Sequence, residues 1–229
     1  MVYTPDHITG FIVEQALGGH LGEAFERMLA GYVVDPKSPR DATGEIVWKR
    51  AGKHDPVRKQ LPRTGKGKSA GTAKGDVEER AYEYLFWRDW LEFLKSVSVV
   101  DPACGSGAFL VAAFDWLQAE YRRVTEQLHA ITGSYDLFDL NKAILNGNLY
   151  GVDLNAESVE ITKLSLWLKT AERGKPLTSL EANIHLGNSL LRGAIPTFTS
   201  SCNWLTSMSA RLVRSSQLCL RNLPPSTPR

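Results

Sequence analysis

An apolar run from Val97 to Val100 ends in Asp101, and Gly105 and Gly107 follow within six residues, just ahead of a long helical stripe. Few local patterns restrict a fold so tightly. The run has strand length, and the strand delivers an acid to its carboxyl end. The two glycines permit a tight turn and close backbone approach to a ligand. The helix then opens with unpaired N–H groups facing the same space. That helix is read from Leu110, Phe114, Leu117, Tyr121, Val124 and Leu128, spaced by fours and threes as one buried stripe.

The unit repeats. Leu149 to Val152 forms a second apolar run and ends in Asp153; Ala156 to Lys169 reads as a helix; Asn183 to Leu186 reads as a third short strand, followed by Gly187-Asn188-Ser189-Leu190. Upstream, Glu78 to Lys95 is an aromatic helix carrying Tyr82, Leu85, Phe86, Trp90 and Phe93. Strands alternating with helices predict an α/β fold, a parallel sheet with helices on its faces. At the N-terminus Tyr3-Thr4-Pro5-Asp6 leads into Ile8, Phe11, Ile12, Leu17 and Leu21 at roughly helical spacing. Thr4 suits an N-cap there, with proline at the first helical position.

The 229 residues suffice for one domain with a real core, and 43% apolar content fits a soluble globular chain. No apolar run reaches membrane-spanning length, and the N-terminus has no secretory pattern, so cytoplasm is the default expectation. Cys104, Cys202 and Cys219 have neither metal spacing nor a pairing pattern, so reduced thiols and no metal are expected.

The net charge of +2 hides two uneven segments. Residues 37–75 hold eleven Lys or Arg against three acids, and residues 193–229 hold four Arg with no Lys, Asp or Glu. That leaves 12 basic residues against 22 acids elsewhere, so the global charge says nothing about nucleic acid while the local charges bear on it. The stretch from Arg63, RTGKGKSAGTAKG, cannot bury a core and reads as a mobile loop, either solvated or touching a DNA backbone. Its Gly67-Lys68-Ser69 imitates the end of a nucleotide-phosphate loop, but Pro62 stands where the first glycine is needed and no apolar strand precedes it. Residues 193–229 lose all periodicity and contain seven serines, as an out-of-frame translation or an unusual linker would. The expected organisation is a motif-bearing N-terminal helix region (1–36), a basic flexible insertion (37–75), a partial α/β domain (76–192) and an unpatterned tail (193–229).

The crevice chemistry is selective. The position three after Gly107 is Leu110, so the dinucleotide fingerprint is incomplete. An acid four residues before Gly105 repels a pyrophosphate and suits a cationic amino group. Asp153, at the neighbouring strand end, is placed to accept from a ribose diol; its plain alternative is a turn or helix cap, a task Asn155 can perform. Asn188 is placed to reach an adenine edge, with an ordinary turn as the alternative.

Asp-Pro-Ala-Cys-Gly-Ser-Gly-Ala-Phe-Leu (101–110) resembles motif I of amino-methylating DNA methyltransferases, above all the adenine-N6 enzymes. Tyr-Thr-Pro (3–5) resembles their motif X, Tyr-Gly-Val-Asp-Leu-Asn (150–155) motif II, and Gly-Asn-Ser-Leu (187–190) motif III. Motif X first is the gamma arrangement, shared by Type I modification subunits and fused restriction–modification proteins. The resemblance implies a Rossmann-like S-adenosylmethionine-dependent fold, here an incomplete parallel sheet with helices on both faces. It implies S-adenosylmethionine as cofactor, double-stranded DNA as partner, and restriction or specificity subunits, or a missing C-terminal half, as further partners. It also implies roles. Thr4 and Pro5 contact the methionine carboxylate end; Asp101, Pro102, Ala103, Cys104, Gly105, Ser106 and Gly107 wrap the methionine portion. Asp153 holds the ribose hydroxyls with Leu154 against the adenine ring, and Asn188, where the family more often has Asp, accepts from the adenine amino group.

The same resemblance requires an Asn/Asp-Pro-Pro-Tyr/Phe motif after a fourth strand, because the adenine N6 lone pair is delocalised and must be drawn out by acceptors on both hydrogens while an aromatic ring holds the flipped base. The nearest match is Asn222-Leu223-Pro224-Pro225-Ser226, with its register broken and no aromatic. No catalytic residue is therefore assigned. The expectation is a truncated DNA adenine methyltransferase that retains the cofactor-binding half and is inactive alone. The alternatives are a non-catalytic cofactor- or partner-binding fragment, and an amino-methyltransferase acting on RNA or protein.

Overall fold

A computed structural model describes residues 4–52, 54–61, 80–133, 139–171 and 177–189. In chain order its main elements are helices α1 (Asp6–Val13), α2 (Gly19–Leu29) and α3 (Ala81–Ser96), strand β1 (Val99–Asp101), the long helix α4 (Ala108–Thr132), the short helix α5 (Leu140–Ala143), strand β2 (Leu149–Asp153), helix α6 (Ala156–Thr170) and strand β3 (Ile184–Leu186). The chain divides into two compact units. One takes residues 1–13, 96–115 and 141–229, and the other 14–95 and 116–140.

The first unit holds the sheet. Among the described residues it has three parallel strands in the order β1-β2-β3, with Asp101 level with Gly151 and Asp153 level with Leu186. This is the α/β arrangement that alternating strand and helix signals predict. Parallel pairing brings all three carboxyl ends to one edge. The central strand is the apolar one: Leu149 to Val152 are buried on both faces, as a covered parallel strand must be. Two asparagines brace the sheet's amino end. Asn148, fully buried, donates to the Val97 carbonyl at 2.6 Å. Asn183, 3% exposed, donates to Leu149 O at 2.9 Å and Asn146 O at 3.2 Å. Buried amides are tolerated here because they satisfy carbonyls that the ladder leaves over. A π-helical turn at Ile144–Asn148 feeds β2, a feature the sequence pattern does not announce.

Helix α6 begins at a side-chain cap: Asn155 accepts from Glu157 N at 2.8 Å, the role open to it in the sequence. The α6 face turned inward is Ser158, Val159, Thr162, Lys163 and Leu166, while Ile161, Leu164 and Leu168 stay exposed. Lys163 keeps its charge by reaching Glu160 and Glu181 at 3.0 and 2.8 Å.

The second unit is an aromatic cluster. Phe25 meets Phe86 and Trp90 edge-on at 4.9 and 5.2 Å, and Trp87 lies beside Phe86 at 5.1 Å. Arg123 stacks over Phe25 and Trp87 and pairs with Glu120, which also accepts from Trp90 Nε1. The expected stripe of α4 is buried at Leu110 and Phe114, which belong to the first unit, and at Leu117, Tyr121 and Val124 of the second, and is half-buried at Leu128. Helix α3 begins at Ala81; the expected start at Glu78 lies outside the described residues.

Two expectations are corrected. The N-terminal helix buries Thr9, Val13, Leu17 and Leu21, leaving Ile8, Phe11 and Ile12 exposed. The apolar set there is wider than the one face spaced by fours that packs. The helix also starts one residue late, at Asp6, with the Pro5 carbonyl accepting from Ile8 and Thr9. In the basic segment, residues 37–52 and 54–61 carry fixed structure. Arg40 bridges Ile46, Asp41 collects the Thr43 and Glu45 amides, and Asp55 caps a short helical turn at Pro56–Gln60. The stretch from Arg63 to Gly75, the tail from 193 to 229 and the Asn222–Ser226 near-match lie outside the described residues.

Candidate functional site

The site is built at the carboxyl edge by the turn between β1 and α4. Asp101 Oδ1 accepts from Ala103 N at 3.1 Å, folding the chain back on the strand end. Cys104 N then donates to Val152 O at 2.9 Å, which fastens the turn to β2, and Gly107 N donates to Cys104 O at 2.7 Å. Gly105 and Gly107 have φ of +53° and +83°, values that side-chain-bearing residues rarely adopt. Gly107 is doubly required, since a Cβ there would lie 2.9 Å from Thr162 Cγ2. Helix α4 follows at once, its ladder starting with Val111 N on Gly107 O.

Asp153 ties the turn to the second strand end. Its Oδ2 accepts from Gly105 N at 2.8 Å, its Oδ1 from Asn155 N at 2.9 Å, and its backbone carbonyl from Gly187 N at 2.8 Å. One residue thus joins the glycine turn, the α6 cap and the chain leaving β3. Each carboxylate oxygen retains a lone pair beyond these bonds. Asn188, half-buried, directly follows the Gly187 amide held on Asp153.

Asp101 is the electrostatic anomaly. Its Oδ2 is buried and meets no hydrogen-bond partner among the described residues. Burial lifts its carboxyl above the usual carboxylate range, the Ala103 amide pulls it back, and the negative charge of Asp153 raises it further. Two acids so near one another, beside a turn whose Ala103, Cys104, Gly105 and Gly107 amides are already bonded within the fold, favour a ligand that is cationic where it meets them.

The structure thus brings Asp101, the turn through Gly107, and Asp153 together, with Asn188 at the same sheet edge. Pro102 and Ala103 are exposed on the turn and Ser106 is half-buried. Leu154 is 71% exposed beside Asp153. Cys104 points inward: it is 4% exposed, and its Sγ lies 3.2 Å from where a Cβ on Gly151 would stand. Burial above all pushes its thiol up to about 11, and the charges of Asp101 and Asp153 act in the same direction. Thr4 is half-buried and Pro5 exposed in the same unit, and the bonds of Pro5 run to Ile8 and Thr9 of its own helix. The sequence reading missed Thr162 and Gly151, which seat the turn from below. Neither carries a pattern of its own: Gly151 stands between Tyr150 and Val152, and Thr162 between Ile161 and Lys163. Among the described residues no cluster of His, Cys, Asp or Glu suits a metal ion, and no helix is long and apolar enough to cross a membrane.

Comparison with known proteins agrees with this geometry. Residues 78–187 match the family described as "MmeI, DNA-methyltransferase domain". The chain is 35% identical over 198 residues to the "Putative type II restriction enzyme and methyltransferase RM.MjaORFECS2P" of Methanocaldococcus jannaschii, covering 82% of this chain and 14% of that protein. It is 27% identical over 136 residues to the "Type II restriction enzyme and methyltransferase RM.Eco57I" of Escherichia coli, covering 50% and 13%. Over 95 residues it is 24% identical to "DNA methyltransferase A" of Bacillus subtilis, covering 42% and 10%. The chain therefore spans a small part of the length of the relatives it matches. Across residues 78–187, which hold all three strands, the glycine turn and both acids, the chain belongs to the MmeI-type DNA-methyltransferase domain family.

Proposed function

We propose that the crevice at the carboxyl edge of β1–β3 binds S-adenosylmethionine, and that the protein carrying these motifs methylates adenine N6 in double-stranded DNA. One observation carries the cofactor reading: the buried, unpartnered Oδ2 of Asp101, facing a second acid across a turn of glycine amides. That arrangement fits the ammonium of a methionine moiety and rejects a phosphate. Bound there, S-adenosylmethionine supplies an electrophilic methyl carbon on its sulfonium. The residues of this chain bind and orient. Asp101 takes the ammonium, and the turn from Pro102 to Gly107 wraps the methionine portion. Asp153, while holding Gly105 N, accepts from the ribose hydroxyls through its remaining lone pairs. Leu154 offers an exposed apolar surface to the adenine ring, and Asn188 accepts from its amino group. Thr4 and Pro5 close on the carboxylate end.

The methyl-accepting machinery is another matter. The sequence contains no Asn/Asp-Pro-Pro-aromatic quartet, so nothing in this chain draws out the N6 lone pair or holds a flipped base. We read the chain as the cofactor-binding part of such an enzyme, inactive alone, with DNA and the remaining machinery as partners. DNA as substrate rests on the family and on the named activities of the relatives.

Titration calorimetry with S-adenosylmethionine tests the binding. The wild-type chain should bind, and Asp153→Ala should lose roughly 1.5–3 kcal/mol, the worth of a charge-assisted bidentate contact. Equal affinities would remove Asp153 from the site. A tritiated-methyl transfer assay on mixed-sequence DNA should read background with this chain. N6-methyladenine produced by these 229 residues alone would refute the assignment of the catalytic groups to other polypeptide.

A further inference from the structure

We infer that Thr162, on α6 and outside every motif, is a positioning residue that sets the conformation of the cofactor-binding turn through the Gly105 carbonyl. The inference rests on the proposed cofactor crevice but is carried by separate observations. Thr162 is fully buried, and its Oγ1 donates to Gly105 O at 2.8 Å. The hydroxyl has one proton, and the alternative acceptor, Cys104 Sγ, lies at 3.9 Å, so the carbonyl takes it. The same residue's methyl is what Gly107 rests on: a Cβ at 107 would come within 2.9 Å of Thr162 Cγ2 and 3.2 Å of its Cα.

The Gly105 residue is thus held at both polar groups, its N–H by Asp153 from β2 and its C=O by Thr162 from α6. That matters because φ of +53° at Gly105 is a conformation a glycine can readily leave. In a planar trans peptide the C=O of one residue and the N–H of the next point in opposite directions, and none of the described peptides is cis. Fixing Gly105 O on α6 therefore turns the Ser106 N–H away from α6, leaving it as a donor on the far side of the turn. Thr162 touches no ligand; it decides where a backbone donor points.

Thr162→Val keeps the branched shape and deletes the donor, whereas Thr162→Ser keeps the donor and deletes the methyl. Amide hydrogen exchange of the 229-residue chain, without ligand, reads the turn directly. Thr162→Val should speed exchange of the Gly105 and Gly107 amides about tenfold, the loss of one buried hydrogen bond, while Tyr150, Gly151 and Val152 in β2 keep wild-type protection. Thr162→Ser should stay near wild type at Gly105. If Thr162→Val is insoluble, Thr162→Ala deletes the same donor and is read at the same amides. Wild-type exchange at Gly105 in the donor-less variant would overturn the inference, as would equal disturbance by serine, or a loss of protection spread through β2. Calorimetry then links the turn to the ligand: S-adenosylmethionine should bind Thr162→Val several-fold more weakly and Thr162→Ser about as wild type. A wild-type chain that takes up no S-adenosylmethionine would refute the proposed cofactor, and the exchange experiment would still decide the role of Thr162.

Discussion

Replacing Gly151 by alanine should destabilise the chain although its backbone conformation accepts alanine. Gly151 lies mid-strand in β2, beneath the turn. A Cβ there would stand 2.8 Å from Leu110 Cδ1 and 3.2 Å from both Cβ and Sγ of Cys104. Carbon atoms rest at about 3.5–4.0 Å, so Leu110 must move by roughly an ångström. It has nowhere to go, since it is fully buried at the first turn of α4. Overpacking of this kind costs about 1–3 kcal/mol. Opposing it, loss of glycine's freedom in the unfolded chain returns about 0.4–1 kcal/mol. The clash wins, and the net loss should be about 1–2 kcal/mol, a fall in Tm of roughly 2–8 °C for a chain of this size. Urea unfolding followed by tryptophan fluorescence measures it. Leu110→Ala is destabilising alone, but combined with Gly151→Ala it opens room for the new methyl, so the double variant should lose less than the sum. Strict additivity, or a Gly151→Ala chain as stable as wild type, would refute the packing argument.

Three further outcomes are expected. Because Asp101's carboxyl is raised in the fold, the native state holds that proton more tightly than the unfolded chain. Its contribution to stability should therefore decline as pH rises from the ordinary carboxylate range, about 3.9, through its raised value. Asp101→Asn should flatten that decline in urea titrations taken across acid pH, and S-adenosylmethionine affinity should strengthen over the same window as Asp101 ionises. With its thiol near 11 and 4% exposed, Cys104 should resist iodoacetamide at pH 8 in the folded chain and react after denaturation, by mass spectrometry of its peptide. Asn183→Asp should cost more than Asn183→Ala in thermal unfolding, since it sets a buried acid against the Leu149 and Asn146 carbonyls where alanine only leaves them unpaired, at about 1–3 kcal/mol.

The sequence by itself determined the order of elements and the sheet edge at which Asp101, the glycine turn and Asp153 meet. Val99 to Gly107 encodes a strand, an acid, a turn with two left-handed glycines and a helix start, and each of these is a local property of the residues concerned. Asp153 and Asn155 were legible for the same reason: a strand end and a cap are local events. The packed face of the N-terminal helix and the inward face of α6 were not. Along α6 the apolar side chains Ile161, Leu164 and Leu168 stay exposed while Ser158, Thr162 and Lys163 turn inward, and at Thr162 the reason is the glycine turn, which packs onto that side chain and takes its hydrogen bond. Ion pairs then carry Lys163. Periodicity counts apolar residues, and it cannot see which face a segment more than fifty residues earlier will occupy. Only tertiary structure decided that Asp153 holds Gly105 N, that Gly151 must stay bare, and that Thr162 seats the turn. Each is a contact across β2 or α6 whose cause is the shape of the partner, and no pattern within either segment records it.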